Sequence, residues 1–146
     1  MISKTSYEAE HPPALAMYCS DGRFTNAVEE LLESLGYERL DTLTIPGGPA
    51  HLSPNTATAS ETQLIGDAAS FLISAHHVSH VVLLAHDHCG HYRHRFFALG
   101  DEDMRLKQEE DLRAARQTLI NAHPGLDVRT FFATPDRGKV RFDEVL

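Results

Sequence analysis

Two cysteines among 146 residues are too few for a disulfide framework. No apolar run approaches the length of a membrane span. The opening segment MISKTSYEAEHPP lacks the apolar stretch of a secretory signal, so a cytoplasmic location is expected. Positive charge is scarce: 13 Lys and Arg stand against 21 Asp and Glu, for a formal net charge of −8. That balance excludes the basic footprint of a nucleic-acid or anionic-membrane binder and reads as a solvated surface. No repeat and no low-complexity segment divides the chain. A glycine-rich nucleotide fingerprint after the first strand is also missing.

What is present is one domain's worth of alternating elements. Residues 1–13 read as a loose arm ended by Pro12-Pro13, and residues 14–146 as the folded domain. Ala14–Cys19 has the length and apolar content of a buried strand. Val28, Leu31, Leu32 and Leu35 repeat at helical spacing from Phe24 to Leu35, and Gly36 ends that helix. Leu40–Ile45 alternates as a second strand, followed by the rigid Pro46-Gly47-Gly48-Pro49 loop. Ser60-Glu61-Thr62-Gln63 has capping-box spacing, which predicts a second helix with Leu64, Ala68, Phe71, Leu72 and Ala75 buried. His80–His86 contains Val81-Val82-Leu83-Leu84, a fully buried strand. A third helix is expected from Asp101 to Ala122, acidic at its start as the helix dipole prefers. Asp127–Ala133 and Lys139–Val145 read as two closing strands joined by Pro-Asp-Arg-Gly.

The order β-α-β-α-β-α-β-β implies an α/β fold, a mostly parallel sheet flanked by helices. Sites in such sheets form beyond the carboxyl ends of strands, where strand order reverses. Cys19 closes the first strand and His86 the third. If those strands are neighbours, Cys19-Ser20-Asp21-Gly22-Arg23 and His86-Asp87-His88-Cys89-Gly90 meet in one crevice. Two thiolates and an imidazole are a common zinc set, because this borderline-soft cation accepts sulfur and nitrogen. Three protein ligands leave a fourth position for water. Asp21 could fill it, or Arg23 could hold Asp21 aside. His88, His91 and His94 read as solvated loop residues. Other chemistries fail on single positions. A cysteine-dependent phosphatase needs an arginine where Thr25 stands, and a metallo-β-lactamase-like hydrolase needs an aspartate where Gly90 stands.

Cys-x-Asp-x-Arg after the first strand and His-x-x-Cys after the third, in this element order, resemble the β-class carbonic anhydrases. The resemblance extends over roughly residues 14–146 and includes the terminal strand pair Leu126–Leu146. It implies zinc bound by Cys19, His86 and Cys89, with Asp21 as fourth ligand in a closed state or as acceptor in an open one. Arg23 would control that choice. The implied reaction is reversible hydration of carbon dioxide to bicarbonate by zinc-bound hydroxide. Hydrolysis of carbonyl sulfide or carbon disulfide, and a non-catalytic zinc protein, are the alternatives. The family also implies a homodimer or higher homo-oligomer, for which Phe71, Ile73 and Val78 supply apolar content. The chain departs from the family in two places. Ile45-Pro46-Gly47-Gly48-Pro49-Ala50 replaces an Arg-Asn-Ala-Gly-Asn-like segment, and the N-terminal arm is about a dozen residues long. Asp87 and His88 stand between the metal ligands, where small polar residues are common.

Overall fold

The computed structural model describes residues 1–146. Five strands form one sheet: β1 (Ala14–Cys19), β2 (Asp41–Ile45), β3 (His80–His86), β4 (Asp127–Asp136) and β5 (Lys139–Glu144). Their order is β2-β1-β3-β4-β5, and the first four run parallel. The last pair is antiparallel, with Asp136 opposite Lys139. That leaves a two-residue hairpin turn, and both Arg137 and Gly138 take the positive φ such turns require. β1 and β3 are buried along almost their whole length, as continuous apolar strands flanked on both sides should be. Edge strand β2 alternates half-buried and exposed residues.

There are four α-helices: α1 (Thr25–Ser34), α2 (Ala59–Ala75) and α4 (Asp101–Ala122) pack on the sheet, and the short α3 (Gly90–Arg95) packs against α4. One sheet face joins Leu15, Met17, Val81, Leu83 and Phe132 to Ala69 and Ile73 of α2 and to Leu112, Ala115 and Leu119 of α4. The opposite face joins Ala16, Tyr18, Val82, Leu84 and Phe131 to Phe24, Val28 and Leu32 at α1. Residues 1–13 carry no regular structure. They are tethered where Arg39 binds the Glu8 carboxylate and the Glu10 carbonyl, and where His11 stacks on His76 at 3.7 Å.

Several expectations need correction. The capping box of α2 begins at Thr58, not Ser60. The Thr58 hydroxyl accepts from the Glu61 N–H, and the Glu61 carboxylate accepts from the Thr58 N–H. The buried stripe of α2 is rotated by about one residue: Ala69 and Ile73 are buried with Ile65 and Leu72 beside them, whereas Leu64 and Phe71 are 70% and 65% exposed. The helix carries apolar residues on two adjacent stripes, and periodicity does not say which one meets the sheet. Of the residues read as dimer-forming, Ile73 and Val78 therefore lie in the chain's own core, and only Phe71 is outward. The glycine loop winds into a 3-10 turn, Gly48–Leu52, and the stretch after Cys89 forms α3 rather than open loop. No helix is long and apolar enough to cross a membrane.

Candidate metal centre

The chain leaves β1 toward β2 on one side of the sheet, while β3 lies on the other, so strand order reverses between β1 and β3. This is the position where parallel sheets open a crevice beyond their carboxyl ends. Cys19 ends β1 and His86 ends β3, and both come into it. Cys89 arrives from the turn after β3, as the residue that begins α3. All three are buried, at 8%, 4% and 1% exposure for Cys19, His86 and Cys89. Their ligand atoms lie within 4.8 Å of one another.

The orientation of each donor has a local cause. His86 Nδ1 is 2.8 Å from the Asp87 carbonyl, which can only accept, so Nδ1 carries the proton. Nε2 is then an unprotonated lone pair, and it is buried without any hydrogen-bond partner. A carbonyl that fixes the far nitrogen is the usual support of a metal-binding histidine. The Phe24 ring lies against His86 at 4.3 Å and limits its rotation. Cys19 Sγ receives the Gly47 N–H at 3.3 Å and lies 3.9 Å from Cys89 Sγ. Two sulfurs on one tetrahedral zinc stand about 3.8 Å apart, given Zn–S bonds of about 2.3 Å, so the observed separation fits such an ion. Without metal, hydrogen bonding from Cys89 and from the Gly47 N–H draws the Cys19 thiol down toward thiolate. Cys89 is pushed up, because it donates to that thiolate and is buried.

Asp21 and Arg23 lie at the rim. Arg23 holds the Asp21 carboxylate through Nε at 3.0 Å and a terminal nitrogen at 2.6 Å, and also reaches the His88 carbonyl at 3.2 Å. These contacts lower Asp21 from the usual carboxylate range to about 2. The oxygen that Arg23 holds at 2.6 Å, Asp21 Oδ2, is also the one nearest the centre, 4.0 Å from His86 Nε2. Asp87 accepts from the His88 N–H, and its own N–H donates to the Ala133 carbonyl, so its carboxylate serves the turn. His88 and His94 are exposed, as expected of solvated residues. His91 is not: it is half-buried with Nε2 unpartnered, and its ring presses on Gly47. Burial lowers the affinity of His91 for a proton.

A cavity of about 10 Å³ borders Cys19 and His86, with Tyr18, Phe24, Val28, Leu84, Ala85 and Ala133 as its other walls. That is room for about one water-sized molecule in an apolar shell. A larger cleft of about 460 Å³ between α1 and β2, lined by Glu29, Glu33, Tyr37 and Glu38, is walled by none of the candidate ligands.

Sequence reasoning missed the polar floor under the site. Asp111 of α4 is 1% exposed and gathers Ser53, Thr56, Tyr92 and Lys107 around its carboxylate. The signal was available: Gln108 and Asp111 recur at buried positions of α4 among Met104, Leu112, Ala115 and Leu119, where the helical period asks for apolar residues.

A family model described as "Putative carbonic anhydrase" matches residues 9–141. No curated protein sequence matches. Among solved structures, a tetrameric β-carbonic anhydrase of Sordaria macrospora is 17% identical with a TM-score of 0.61, over 94% of this chain and 82% of that one. β-Carbonic anhydrase isoform I of Trichomonas vaginalis is 16% identical with a TM-score of 0.58, over 97% and 87%. The β-carbonic anhydrase CafA of Aspergillus fumigatus is 18% identical with a TM-score of 0.56, over 94% and 77%. At these identities the likeness concerns the fold.

Proposed function

This chain belongs to the carbonic anhydrase family, and we propose that it hydrates carbon dioxide reversibly to bicarbonate with one zinc ion held by Cys19, His86 and Cys89. The single observation that carries this reading is the orphaned His86 Nε2, buried and facing two sulfurs 3.9 Å apart. Zinc in such a setting acts as a Lewis acid that makes water nucleophilic near neutral pH. Two thiolates offset the charge of the ion and weaken that effect, so an additional acceptor is needed.

Asp21 supplies the acceptor. Its bond to Arg23 keeps it ionised, and an ionised carboxylate offers only lone pairs. Oδ2, at 4.0 Å from His86 Nε2, can accept a hydrogen bond from water entering beside them. Arg23 keeps that oxygen out of the ligand position. Phe24, Val28 and Leu84 keep the space beside His86 small and dry, which suits a small apolar substrate. The free thiols fit a reducing, cytoplasmic setting.

We further propose a homodimer that covers the outer stripe of α2. Leu64 and Phe71 are large apolar groups on one side of a helix, exposed in the single chain. The tetrameric state described for the Sordaria relative supports association as a family habit.

The test is zinc analysis together with stopped-flow carbon dioxide hydration from pH 6 to 9. One zinc per chain and a rate that climbs with pH are expected, and Cys89→Ser should lose metal, thermal stability and turnover together. Protein that folds equally well without metal and takes up none would refute the reading. Zinc-loaded protein inert toward carbon dioxide at every pH would leave the metal site and remove the activity.

A further inference from the structure

The polar cluster beneath the site is complete in a way that buried clusters seldom are. Asp111 Oδ1 accepts from Ser53 Oγ at 2.6 Å and from Lys107 Nζ at 2.8 Å. Oδ2 accepts from Thr56 Oγ1 at 2.6 Å and from Tyr92 Oη at 2.8 Å. Each carboxylate oxygen thus has two donors, and no acceptor capacity is wasted. The Thr56 hydroxyl donates to Asp111 while its oxygen accepts from Lys107. Lys107 also lies over the Phe96 ring, so its charge is held on two sides.

The four donors come from three segments. Ser53 and Thr56 directly follow the 3-10 turn, whose preceding residue Gly47 donates to Cys19 Sγ. Tyr92 lies on α3 three residues after Cys89, the residue that begins that helix. Lys107 shares α4 with Asp111. Tyr92 therefore links the helix that Cys89 begins to Asp111 through one residue. Its ring packs in the same cluster as Cys19, Cys89, Ala50 and Met104. Stability alone does not call for this arrangement, because well-packed apolar side chains of like volume commonly serve as well as a buried ion pair. What hydrogen bonds add is direction, and here both ends of the direction are segments that aim a sulfur.

We propose that Asp111 is a positioning residue of the metal centre: from α4 it fixes the pitch of α3 through Tyr92 and the path of residues 53–56, and so sets where Cys89 and Cys19 present their sulfurs. The inference rests on the zinc reading given above. It assigns a task to a residue 22 positions beyond Cys89 that hydrogen-bonds to none of the three ligands.

Tyr92→Phe is the cleanest test, since it keeps the ring in its cluster and deletes one O–H. Asp111→Asn keeps the shape and removes the charge. Leu119→Ala is the control, a core truncation more than two turns along α4 that destabilises without touching the cluster. Zinc affinity is measured by competition with a chromophoric chelator, and site geometry by the visible spectrum of the cobalt(II)-substituted protein. Tyr92→Phe should bind zinc about tenfold more weakly, the scale typical of lost outer support, and should shift the cobalt bands. Asp111→Asn should do at least as much. Should Asp111→Asn fail to fold, Tyr92→Phe decides alone. Leu119→Ala should lower the melting temperature of the metal-free protein and leave both metal readings at wild-type values. Wild-type zinc affinity and cobalt bands in Tyr92→Phe overturn the inference, as does an equal loss of affinity in Leu119→Ala. Wild-type protein that takes up no zinc overturns the proposed function, and this inference falls with it.

Discussion

Replacing Gly48 by alanine should damage the metal centre although Gly48 binds nothing. Its φ is +49, and an added Cβ would lie 2.6 Å from the carbonyl carbon of Tyr18 and 2.7 Å from the nitrogen of Cys19. Carbon contacts relax at about 3.5 Å, so the loop and β1 must part by close to an ångström. The obstacle is backbone inside a paired central strand, which cannot swing aside as a side chain can. The left-handed conformation costs roughly 1–2 kcal/mol for a residue with a Cβ. Overpacking adds about 1–3 kcal/mol, for a total of about 2–5 kcal/mol. In a chain of this size that lowers the melting temperature by on the order of 10 °C. The displaced loop also withdraws the Gly47 N–H from Cys19 Sγ, so zinc affinity falls together with stability. Gly47→Ala is the informative comparison. It too has positive φ, at +86, but its Cβ would meet the His91 ring at 2.6 Å, and a ring can rotate away. Thermal unfolding by circular dichroism and a zinc titration on both variants check the reasoning. If Gly48→Ala melts and binds zinc like the wild type, or if Gly47→Ala is the more damaging of the two, the close approach to β1 does not control the site.

Arg23→Ala removes the partner that holds Asp21 aside, so hydration near neutral pH should fall by about tenfold or more with zinc content intact. Equal turnover from pH 6 to 9 would reduce the pair to an ordinary ion pair. Glu61 is held by Arg95 and by the Thr58 N–H, which lower it from 4.5 to about 2. Because its folded pKa is depressed, its contribution is complete above pH 4.5 and is lost as pH falls through about 2. Glu61→Gln should therefore flatten the decline of urea-unfolding stability across that acid window, and an unchanged slope would contradict the assignment. Thr58→Ala breaks the other half of the capping box and should cost about 1 kcal/mol at neutral pH, measured in the same titration. If the proposed homodimer forms through α2, Phe71→Lys should dissociate it without altering the melting of the single chain, and light scattering that stays at the wild-type mass would move the interface elsewhere.

The sequence by itself determined the strands and the ends that carry chemistry. Val81–Ala85 and Ala14–Met17 are apolar on both sides because helices cover both faces, and their shortness and, in Val81-Val82, β-branched content mark buried parallel strands. The ligand motifs sit at the strand ends, so alternation and spacing were enough to bring Cys19, His86 and Cys89 together once β1 and β3 proved adjacent. Tertiary structure decided the rest. Leu64 and Phe71 compete with Ile65, Ala69 and Ile73 for the core, and a helix with two apolar stripes rotates to whichever fits the sheet. Both spacings satisfy the capping-box rule, but the backbone is extended at Thr58 and already helical from Ala59, so the box falls at Thr58 rather than Ser60. The need for glycine at position 48 is visible only when Tyr18 and Cys19 pass beside it. Asp111 gathers partners from residues 53 to 107, and such convergence across the chain leaves no local pattern to read. Periodicity encodes which residues share a face; it does not encode what that face will meet.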